Sequence, residues 1–271
     1  MKLGVSGRAD MDRRVELAQE VVETWEKVAG DTPSIEPALA DALGRDGGTP
    51  VEEMDAEIIV PVGGDGTILW TLMKNPEAQL LGVNDGELGY LTEVEPNEIP
   101  DSLERLHAGD YFVESRSKLD VTLDGEPLGS CANEVVVKTP RPSKLLSFEV
   151  YAEDHRLEDV QADGIILATP TGSTSYSMSA GGPLVHPALE AVLFVPMAPF
   201  RVSQRPMVLP ASSDVRLRLQ EKGKEGVLAL DGQSEHRMEP GDELVVSRSD
   251  DEARFVRFEP HFYSRLRELF G

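Results

Sequence analysis

The sequence has little cysteine, few aromatic residues and no long apolar run, and these deficits exclude several classes of protein. Cys131 is the single cysteine among 271 residues, so no disulfide within the chain can form. Because the N-terminal residues also lack a secretory pattern, we expect a cytoplasmic location. No segment approaches the roughly 18 apolar residues that a membrane-spanning helix needs. We therefore expect no membrane partner.

Basic residues are scarce relative to acidic ones. The chain has 26 Lys and Arg against 49 Asp and Glu, which gives a formal net charge of −23, and only 8 of the basic residues are lysine. Such a charge repels nucleic acid and anionic lipid, so neither is an expected partner. It favours a protein adapted to concentrated salt, in which ions screen the self-repulsion. An ordinary acidic cytoplasmic protein is the alternative.

The first third of the chain alternates strand and helix patterns. Strands are predicted at 2–6, 57–62 and 80–84, and helices at 13–29 and 67–74. This alternation predicts a Rossmann-like α/β domain with a parallel sheet.

After about residue 96, the pattern changes to many short strands, which are predicted at 111–116, 118–123, 133–138, 145–151, 164–169, 207–209, 215–219, 227–230, 243–248 and 253–258. Asp124-Gly125 and Asp231-Gly232 are typical of hairpin turns, and together with the short strands they predict a second domain that is all-β. The predicted domains are therefore 1–97 and 98–258. A C-terminal helix over 259–271 is expected to pack back on the first domain.

The first motif is Gly63-Gly64-Asp65-Gly66-Thr67, which lies between a buried strand and a helix. A loop at the carboxyl end of a parallel strand faces the ligand crevice. Glycines allow a ligand to approach closely, and amides at a helix start attract phosphate oxygens. No Gly-Lys-Thr/Ser follows, so the motif is not a P-loop. A tight turn capped by Asp65 is the alternative.

Further polar blocks follow along the chain. A second glycine loop, 83–91, ends the next strand, and we expect both loops at one edge of the sheet. Asn133-Glu134 precedes an apolar run. The segment 169–179 is dense in hydroxyls, which suit hydrogen bonds to sugar hydroxyls and phosphates. Taken alone, such a segment is usually only a loop.

Together with the late Asp231-Gly232-Gln233, these blocks resemble the NAD kinase family in order and spacing. The Thr-Pro-Thr-Gly-Ser-Thr-x-Tyr-Ser block at 169–177 makes the resemblance specific, and it covers nearly the whole chain. The resemblance implies phosphorylation of the 2′-hydroxyl of the adenosine ribose of NAD. It implies ATP or polyphosphate as the donor, a divalent metal such as Mg²⁺, an α/β domain followed by a β-sandwich, and a homodimer or homotetramer. With the charge, it suggests a salt-adapted archaeal source.

The resemblance also implies roles for individual residues. Asp65 would be the catalytic base at the reacting ribose, with phosphate contacts from Gly63, Gly64 and Thr67. Asp163 would contact the nicotinamide amide or a neighbouring subunit. The substrate contacts implied in total are Gly66, Asn133, Glu134, Lys144, Gln161, Asp163, Thr174, Ser175, Tyr176, Ser177, Ser179, Ala198 and Gln233.

Two features leave part of the site open. Family members frequently carry a basic residue where this chain has Gln161, which lacks the charge and the bidentate fork, so the choice between NAD and NADH stays open. The five histidines show no metal-ligand spacing, so no metal ligands are predicted.

Two rival functions share some of these features. Lipid or sphingoid-base kinases carry a similar Gly-Gly-Asp-Gly-Thr loop, but the net charge disfavours docking to an anionic membrane. A non-catalytic NAD(P) sensor could use the same loops. The presence of Asp65 disfavours a sensor, because binding alone requires no base.

Overall fold

The alternation of strand and helix predicted for the first third of the chain is present in the structure, a computed structural model that describes residues 1–86, 89–141, 144–220, 224–260 and 262–270. The chain divides into a first unit, residues 1–115 with 253–271, and a second unit, residues 116–252.

The elements follow one another in three groups. The first group contains β1 (Leu3–Gly7), α1 (Asp12–Ala29), β2 (Ser34–Ile35), α2 (Pro37–Ala42), β3 (Ile58–Val62), α3 (Asp65–Lys74), β4 (Gln79–Leu80) and α4 (Ile99–Ala108). The second group contains β5 (Phe112–Leu123), β6 (Glu126–Cys131), β7 (Glu134–Lys138), β8 (Leu146–Ala152), β9 (His155–Ala162), β10 (Gly164–Ala168), α5 (Tyr176–Ser179), β11 (Ala191–Met197), β12 (Met207–Pro210), β13 (Val215–Leu219), β14 (Gly226–Leu230) and β15 (Ser234–Met238). The last group contains β16 (Glu243–Arg257) and α6 (Phe262–Phe270).

The first unit is built on parallel strands in the order β2-β1-β3-β4, with residues 254 and 255 of β16 beside β4. All five residues of β3 are buried, as expected for a strand covered on both faces. Helix α1 buries one stripe at three-to-four spacing, and this stripe packs on the sheet and on α4. The stripe consists of Leu17, Ala18, Val21, Val22 and Trp25.

The second unit is a β-sandwich of antiparallel strands. One sheet runs β12-β11-β10-β7-β14-β15, and the other includes β16-β13-β8-β9 and the β5-β6 hairpin. A single apolar core contains inward residues of both sheets, such as Val135 and Leu167 from one and Phe148 and Leu217 from the other. A smaller cluster that includes Ile166 and Leu193 covers the opposite face of β10 and β11. The predicted fold class, a parallel α/β domain followed by a β-sandwich, is confirmed.

The predicted hairpin turns are also present. Asp124-Gly125 joins β5 to β6, and Asp231-Gly232 joins β14 to β15. All four residues have φ between 47° and 82°, as a type I′ turn requires at its two central positions.

Several predicted strands differ in extent. The strand predicted at 80–84 is only β4, continued by an isolated bridge from Val83 to Val62. The separate strands predicted at 111–116 and 118–123 are one strand, β5, and those at 243–248 and 253–258 are one strand, β16. In β16 the polar residues at the predicted break, 250–252, are exposed positions of a continuous strand, whereas in β5 Arg116 and Lys118 are buried and Ser117 is half-buried.

Other elements were not predicted. They are β2, α2, β6, β9, β11, β15 and α5. Strand β9 was missed because six of its eight residues are not buried, so its sequence shows no regular apolar alternation. Strand β11 was missed because its continuous apolar run, interrupted by Pro196, does not show a period of two.

The observed units do not coincide with the predicted division at 97/98 and 258/259. Ile99, Leu103 and Leu106 of α4 belong to the apolar core of the first unit, so this helix is part of it. Residues 254 and 255 pair with β4 and also belong to the first unit. Helix α6 lies in the first unit as well. In the part of the chain that the structure describes, no helix has the length and apolar character of a membrane span.

Candidate active site

The Gly-Gly-Asp-Gly-Thr loop joins the carboxyl end of β3 to α3, as predicted. Gly64 is the N-cap, and Asp65 is the first helical residue. Neither Gly64 nor Gly66 has any atom within 4 Å of the position a Cβ would take, so this side of the loop has room for a ligand. Because α3 begins here, its dipole favours an anion at the same place.

Asp65 is not a helix cap, although capping was the alternative interpretation of the sequence. No side-chain cap bond is formed at the start of α3. Instead, Oδ2 accepts the backbone N–H of Tyr90 and Oδ1 that of Leu91, each at 2.9 Å. Asp65 therefore ties the first glycine loop to the second, and its half-buried carboxylate is held in one orientation.

The second glycine loop fits closely against this carboxylate. A Cβ at Gly89 would lie 2.7 Å from Asp65 Oδ1, so only glycine allows the contact. Burial, together with the charge of Asp65, raises the pKa of the Tyr90 hydroxyl. The expected meeting of the two loops at one sheet edge is present for the described residues, while Glu87 and Leu88 of the second loop lie outside them.

Gly63 and Thr67 form the buried side of the first loop. A Cβ at Gly63 would lie 2.4 Å from Thr67 Oγ1, and Thr67 is 6% exposed. The amide of Thr67 donates to the carbonyl oxygen of Gly64 at 2.9 Å. The side chain and the amide of Thr67 therefore serve the turn, and the open side of the loop is formed by Gly64 and Gly66.

A second polar cluster lies in the second unit, where residues 132–134 enter β7. The carboxylate of Asp231 accepts three successive backbone amides: Oδ2 accepts from Ala132 at 2.7 Å, and Oδ1 from Asn133 at 2.8 Å and Glu134 at 3.0 Å. The Asp231 amide donates to the carbonyl oxygen of Glu134 at 2.9 Å. Asp231 thus fixes the backbone that carries the Asn-Glu pair.

The contacts of the Asp231 carboxylate were not predicted from the sequence. Asp231-Gly232 was interpreted as a hairpin turn and as part of the family resemblance, and neither interpretation indicates bonds to residues about 100 positions earlier. Burial raises the pKa of Asp231, while the three amides and the nearby Lys118 charge act in the opposite direction. The neighbouring Gln233 donates its side-chain amide to the Asp231 carbonyl oxygen at 3.3 Å.

Glu134 is the most strongly perturbed carboxyl of this cluster. It is 7% exposed, and burial, with the charge of Asp231 as the second cause, raises its pKa to about 8. Its Oε1 accepts a hydrogen bond from the Ser175 hydroxyl at 3.1 Å. This bond, and a hydrogen bond from the backbone N–H of Tyr176, partly oppose the rise in the pKa of Glu134. At neutral pH, Glu134 is therefore largely protonated and is able to donate a hydrogen bond.

The hydroxyl-rich segment packs directly on the Asn-Glu pair. The Thr169 hydroxyl donates to the Ala132 carbonyl oxygen at 2.6 Å, and the Gly172 amide donates to that hydroxyl at 3.1 Å. A Cβ at Gly172 would lie 2.2 Å from the Asn133 carbonyl oxygen, so glycine is required for this approach. Part of the segment forms a 3-10 turn and α5, and its hydroxyls are thereby placed beside Asn133 and Glu134.

Three buried polar atoms of this cluster have no protein partner among the described residues. They are Asn133 Oδ1, Glu134 Oε2 and Ser177 Oγ. Buried polar atoms are nearly always hydrogen-bonded in native proteins, so atoms of this kind point to a ligand. The structure brings together the predicted residues Asn133, Glu134, Thr174, Ser175, Tyr176, Ser177 and Gln233, and Ser179 ends α5.

The remaining predicted residues lie at the other end of β10. Asp163 immediately precedes the strand and pairs its backbone with Met197 and Thr139, and the Gln161 carbonyl oxygen accepts from the Phe200 amide at 2.7 Å. Ala198 is exposed with φ of 44° in the same region, and Lys144 is exposed in the loop that follows Thr139. At ~3.3 Å per residue, the backbone of β10 separates Asp163 from Thr169 by about 20 Å.

Neither cluster forms a preassembled metal cage. Among the described residues, no group of three or more His, Cys, Asp or Glu side chains is arranged to hold a metal ion. Mg²⁺ in phosphoryl-transfer sites commonly binds one or two carboxylates together with substrate phosphates. A lone carboxylate at an open helix start fits an ion of that kind.

Comparisons with known proteins match both parts of the chain that contain these polar clusters. A model of the ATP-NAD kinase N-terminal domain matches residues 6–111, and a model of the ATP-NAD kinase C-terminal domain matches 132–258. The NAD kinase of Methanothermobacter thermautotrophicus is 42% identical over 272 residues, which cover 99% of this chain and 95% of that protein. The NAD kinase of Thermococcus kodakarensis is 42% identical over 270 residues, covering 98% and 97%.

Solved structures agree as well. An NAD kinase from Archaeoglobus fulgidus in complex with ATP has a TM-score of 0.80 and 28% identity, with 100% of this chain and 98% of that chain covered. Yeast NADH kinase complexed with NADH has a TM-score of 0.89 at 23% identity, covering 100% and 87%, which shows the shared fold. Fold and sequence together define a phosphotransferase that acts on a nucleotide substrate. The chain belongs to the ATP-NAD kinase family, and the lipid-kinase and sensor alternatives are not favoured.

The raised pKa of Glu134 predicts a pH-dependent stability. Its folded pKa of about 8 lies above its unfolded value, so folding favours the neutral form. This contribution is complete below about pH 4.5 and is lost as the pH rises toward 8. Relative to Glu134→Gln, the free energy of unfolding of the wild type should fall by about 3 to 5 kcal/mol between pH 5 and 9.

Urea unfolding at constant high salt measures this difference. The exposed Glu235→Gln, in the same unit, is the matched control and should show no such trend. A wild-type curve that stays parallel to that of Glu134→Gln across this pH range would contradict the prediction.

Proposed function

We propose that the protein transfers the terminal phosphoryl group of ATP to the 2′-hydroxyl of the adenosine ribose of NAD, which gives NADP and ADP. The observation that carries this proposal is the carboxylate of Asp65, held by two amides beside a glycine loop that is open to a ligand. Inorganic polyphosphate is a second possible donor of the same group.

Asp65 is proposed as the base. Phosphoryl transfer passes through a loose transition state, so most of the catalysis comes from positioning and charge neutralisation. The carboxylate accepts a hydrogen bond from the ribose hydroxyl and orients its oxygen toward phosphorus. As the new O–P bond forms and the bond to the leaving diphosphate breaks, the hydroxyl proton passes to the carboxylate. The amides of Tyr90 and Leu91 keep the carboxylate in place during this step.

The glycine loop is proposed to receive the phosphates. Gly64 and Gly66 offer room at the start of α3, whose dipole favours anionic oxygens. Gly63 and Thr67 support this loop from its buried side. A divalent cation, proposed to be Mg²⁺, would be held by the phosphates and Asp65 and would supply charge neutralisation of the transferring group.

The cluster around Asn133 is proposed to bind NAD. The unpartnered Asn133 Oδ1 accepts from a ribose hydroxyl of the nicotinamide half, and the protonated Glu134 donates through Oε2. The substrate contacts proposed in the second unit also include Thr174, Ser175, Tyr176, Ser177, Ser179 and Gln233. In the first unit, Gly66 is proposed as a substrate contact. Whether the protein prefers NAD or NADH is tested by assaying both.

Replacement of Asp65 tests the proposed base. Asp65→Asn should lower kcat by about 10² to 10⁴ while the KM for NAD changes little, because the base acts only in the transition state. One of the two loop amides also loses its acceptor, so stability should fall by about 1 to 3 kcal/mol. Formation of NADP, measured with a coupled dehydrogenase in high salt with ATP and Mg²⁺, reports turnover, and chemical unfolding reports stability.

Asp12→Asn is the matched control. It removes the first acidic residue of another helix, α1, and should leave kcat unchanged. Turnover close to normal in folded Asp65→Asn would rule out the base. Tight NAD binding by the wild type without turnover would instead favour a sensor, and ATP consumption only with added lipid would favour a lipid kinase.

We propose that the protein works as a homodimer or homotetramer with sites shared between subunits. Gln161, Asp163 and Ala198 lie at the opposite end of β10 from the Asn133 cluster. This separation supports a shared site, in which a second copy supplies Asp163 and Lys144.

Complementation between two inactive variants tests this sharing. Asp65→Asn and Asp163→Ala should each have low activity, and their co-expressed mixed oligomer should regain part of it, because one site then carries both native residues. Each variant expressed alone is the control. A mixed oligomer, verified by mass, that stays as inactive as its parents would contradict a shared site.

We also propose that the protein is cytoplasmic and adapted to concentrated salt. The net charge of −23 supports the second point, because screening of this charge stabilises the compact state. The melting temperature should therefore rise as KCl is increased from about 0.15 to 2 M, while the Debye length falls from about 8 Å to below 3 Å.

Neutralisation of an exposed acidic run provides the comparison. A variant with Asp250→Asn, Asp251→Asn and Glu252→Gln should show a smaller rise, because less charge remains to be screened. A wild-type melting temperature that is flat or falling with KCl would contradict the salt adaptation.

A further inference from the structure

A buried arginine of the first unit contacts the loop that holds Asp65. Arg257 is the last residue of β16 and is 1% exposed. Its Nε donates to Glu114 Oε2 at 3.0 Å. Its Nη1 donates to Glu93 Oε2 at 3.1 Å and to the carbonyl oxygen of Leu91 at 3.0 Å. One guanidinium thus joins two carboxylates and the backbone of the second glycine loop.

Leu91 is the residue through which Arg257 and Asp65 are connected. Its N–H donates to Asp65 Oδ1, and its C=O accepts from Arg257. Peptide groups are planar, so fixing the carbonyl group of Leu91 leaves its own φ and ψ as the only soft angles between the two bonds. The position of the guanidinium therefore restricts the amide that orients the Asp65 carboxylate.

Stability alone is a poor explanation for this arginine. A buried ion pair costs desolvation that its attraction only partly offsets, and an apolar side chain of similar volume often stabilises a core equally well. Arg257 Nη2 is also buried without an acceptor in the described part of the chain, which adds to the cost. The arrangement is instead suited to precise placement, because the guanidinium fork directs its donors at fixed angles.

Glu93 reinforces this placement. Its Oε1 accepts the amide of Phe258 at 2.8 Å, while its Oε2 accepts from Arg257. The guanidinium is therefore held by two carboxylates, those of Glu114 and Glu93. The Glu93 carboxylate is itself fixed by its hydrogen bond from the backbone N–H of Phe258, the residue after Arg257. This leaves little freedom for the donor that faces Leu91.

We propose that Arg257 is a positioning residue for phosphoryl transfer: it sets the orientation of the Asp65 carboxylate by holding the carbonyl group of Leu91. This inference rests on the proposed role of Asp65 as the base. Arg257 touches neither substrate nor phosphate in this scheme. Its effect on the reaction passes entirely through the 89–91 backbone.

The kinetic effect should be on turnover. In Arg257→Met, kcat should fall by about 10- to 100-fold, since a displacement of about 1 Å at a reacting group costs up to about 10² in rate. The KM for NAD should stay within about threefold, because the lost interaction acts in the transition state. Arg254→Met is the matched control: Arg254 lies on the same strand and in the same unit but binds the backbone and carboxylate of Glu77, and its loss should leave kcat unchanged.

A double-mutant cycle separates positioning from general destabilisation. If Arg257 acts through Asp65, adding Arg257→Met to Asp65→Asn should lower kcat no further, because the carboxylate being positioned is already gone. Losses that multiply in the double variant would mean that Arg257 acts by another route and would overturn the proposal.

Hydrogen exchange tests the contact without any activity. At a temperature where the variants are folded, the amides of Tyr90 and Leu91 should exchange about 10-fold or more faster in Arg257→Met, and at the wild-type rate in Arg254→Met. Protection unchanged at both amides would overturn the proposal. This result stands even if Asp65→Asn keeps its turnover, in which case the base assignment fails separately.

Two further variants keep the test usable if Arg257→Met does not fold. Arg257→Lys keeps the charge but replaces the planar fork by one compact ammonium group, so it should lose part of kcat and of the protection. Glu114→Gln keeps the contact to Leu91 and should lower the melting temperature with kcat nearly unchanged. Normal protection and normal kcat in Arg257→Lys would overturn the proposal.

Discussion

The polar edge of the first unit depends on one carboxylate that accepts two successive backbone amides. Asp65 accepts hydrogen bonds from the N–H groups of Tyr90 and Leu91, so the loops that follow two different strands are joined at this carboxylate. The glycine at position 89 follows from this contact, since a Cβ there would lie 2.7 Å from Asp65 Oδ1. Asp65 therefore has a structural role and a proposed chemical role. The two amide hydrogen bonds that join the loops also orient the carboxylate that is proposed to act as the base.

The polar cluster of the second unit also depends on a carboxylate that accepts successive backbone amides. Asp231 accepts three successive amides and so fixes the strand entry that presents Asn133 and Glu134. The charge of Asp231 also contributes to the high pKa of Glu134, after burial. In each unit, a carboxylate that accepts hydrogen bonds from backbone amides positions the groups proposed to bind the substrate. Preorganisation of this kind suits phosphoryl transfer, in which placement accounts for most of the rate.

Much of this arrangement could be predicted from the sequence, and the failures have physical reasons. The parallel sheet, the all-β character of the second domain and the two hairpin turns follow from local patterns of apolar and turn residues, whereas the sandwich was implied by the family resemblance. Strand β9 does not follow from such patterns, because most of its residues are not buried and its sequence lacks an apolar alternation. The role of Asp231 does not either, because the amides that it accepts lie about 100 residues earlier in the chain. Arg257 was not singled out for the same reason: its acceptors lie more than 140 residues earlier, and nothing local distinguishes it from Arg254. The distance of Asp163 and Gln161 from Asn133 could not be predicted either, because it depends on how β10 pairs with β7 and β11.

The two Asp-Gly turns show what a shared turn sequence conceals. At Asp124, the carboxylate accepts a single amide, from Glu243, through Oδ1. An asparagine, which also favours this turn, could keep that bond with its one carbonyl oxygen. At Asp231, both oxygens are needed, since Oδ2 serves Ala132 and Oδ1 serves the next two residues. Exchange for asparagine would thus be close to silent in one hairpin and would open the strand entry in the other, although the two turns have the same backbone shape.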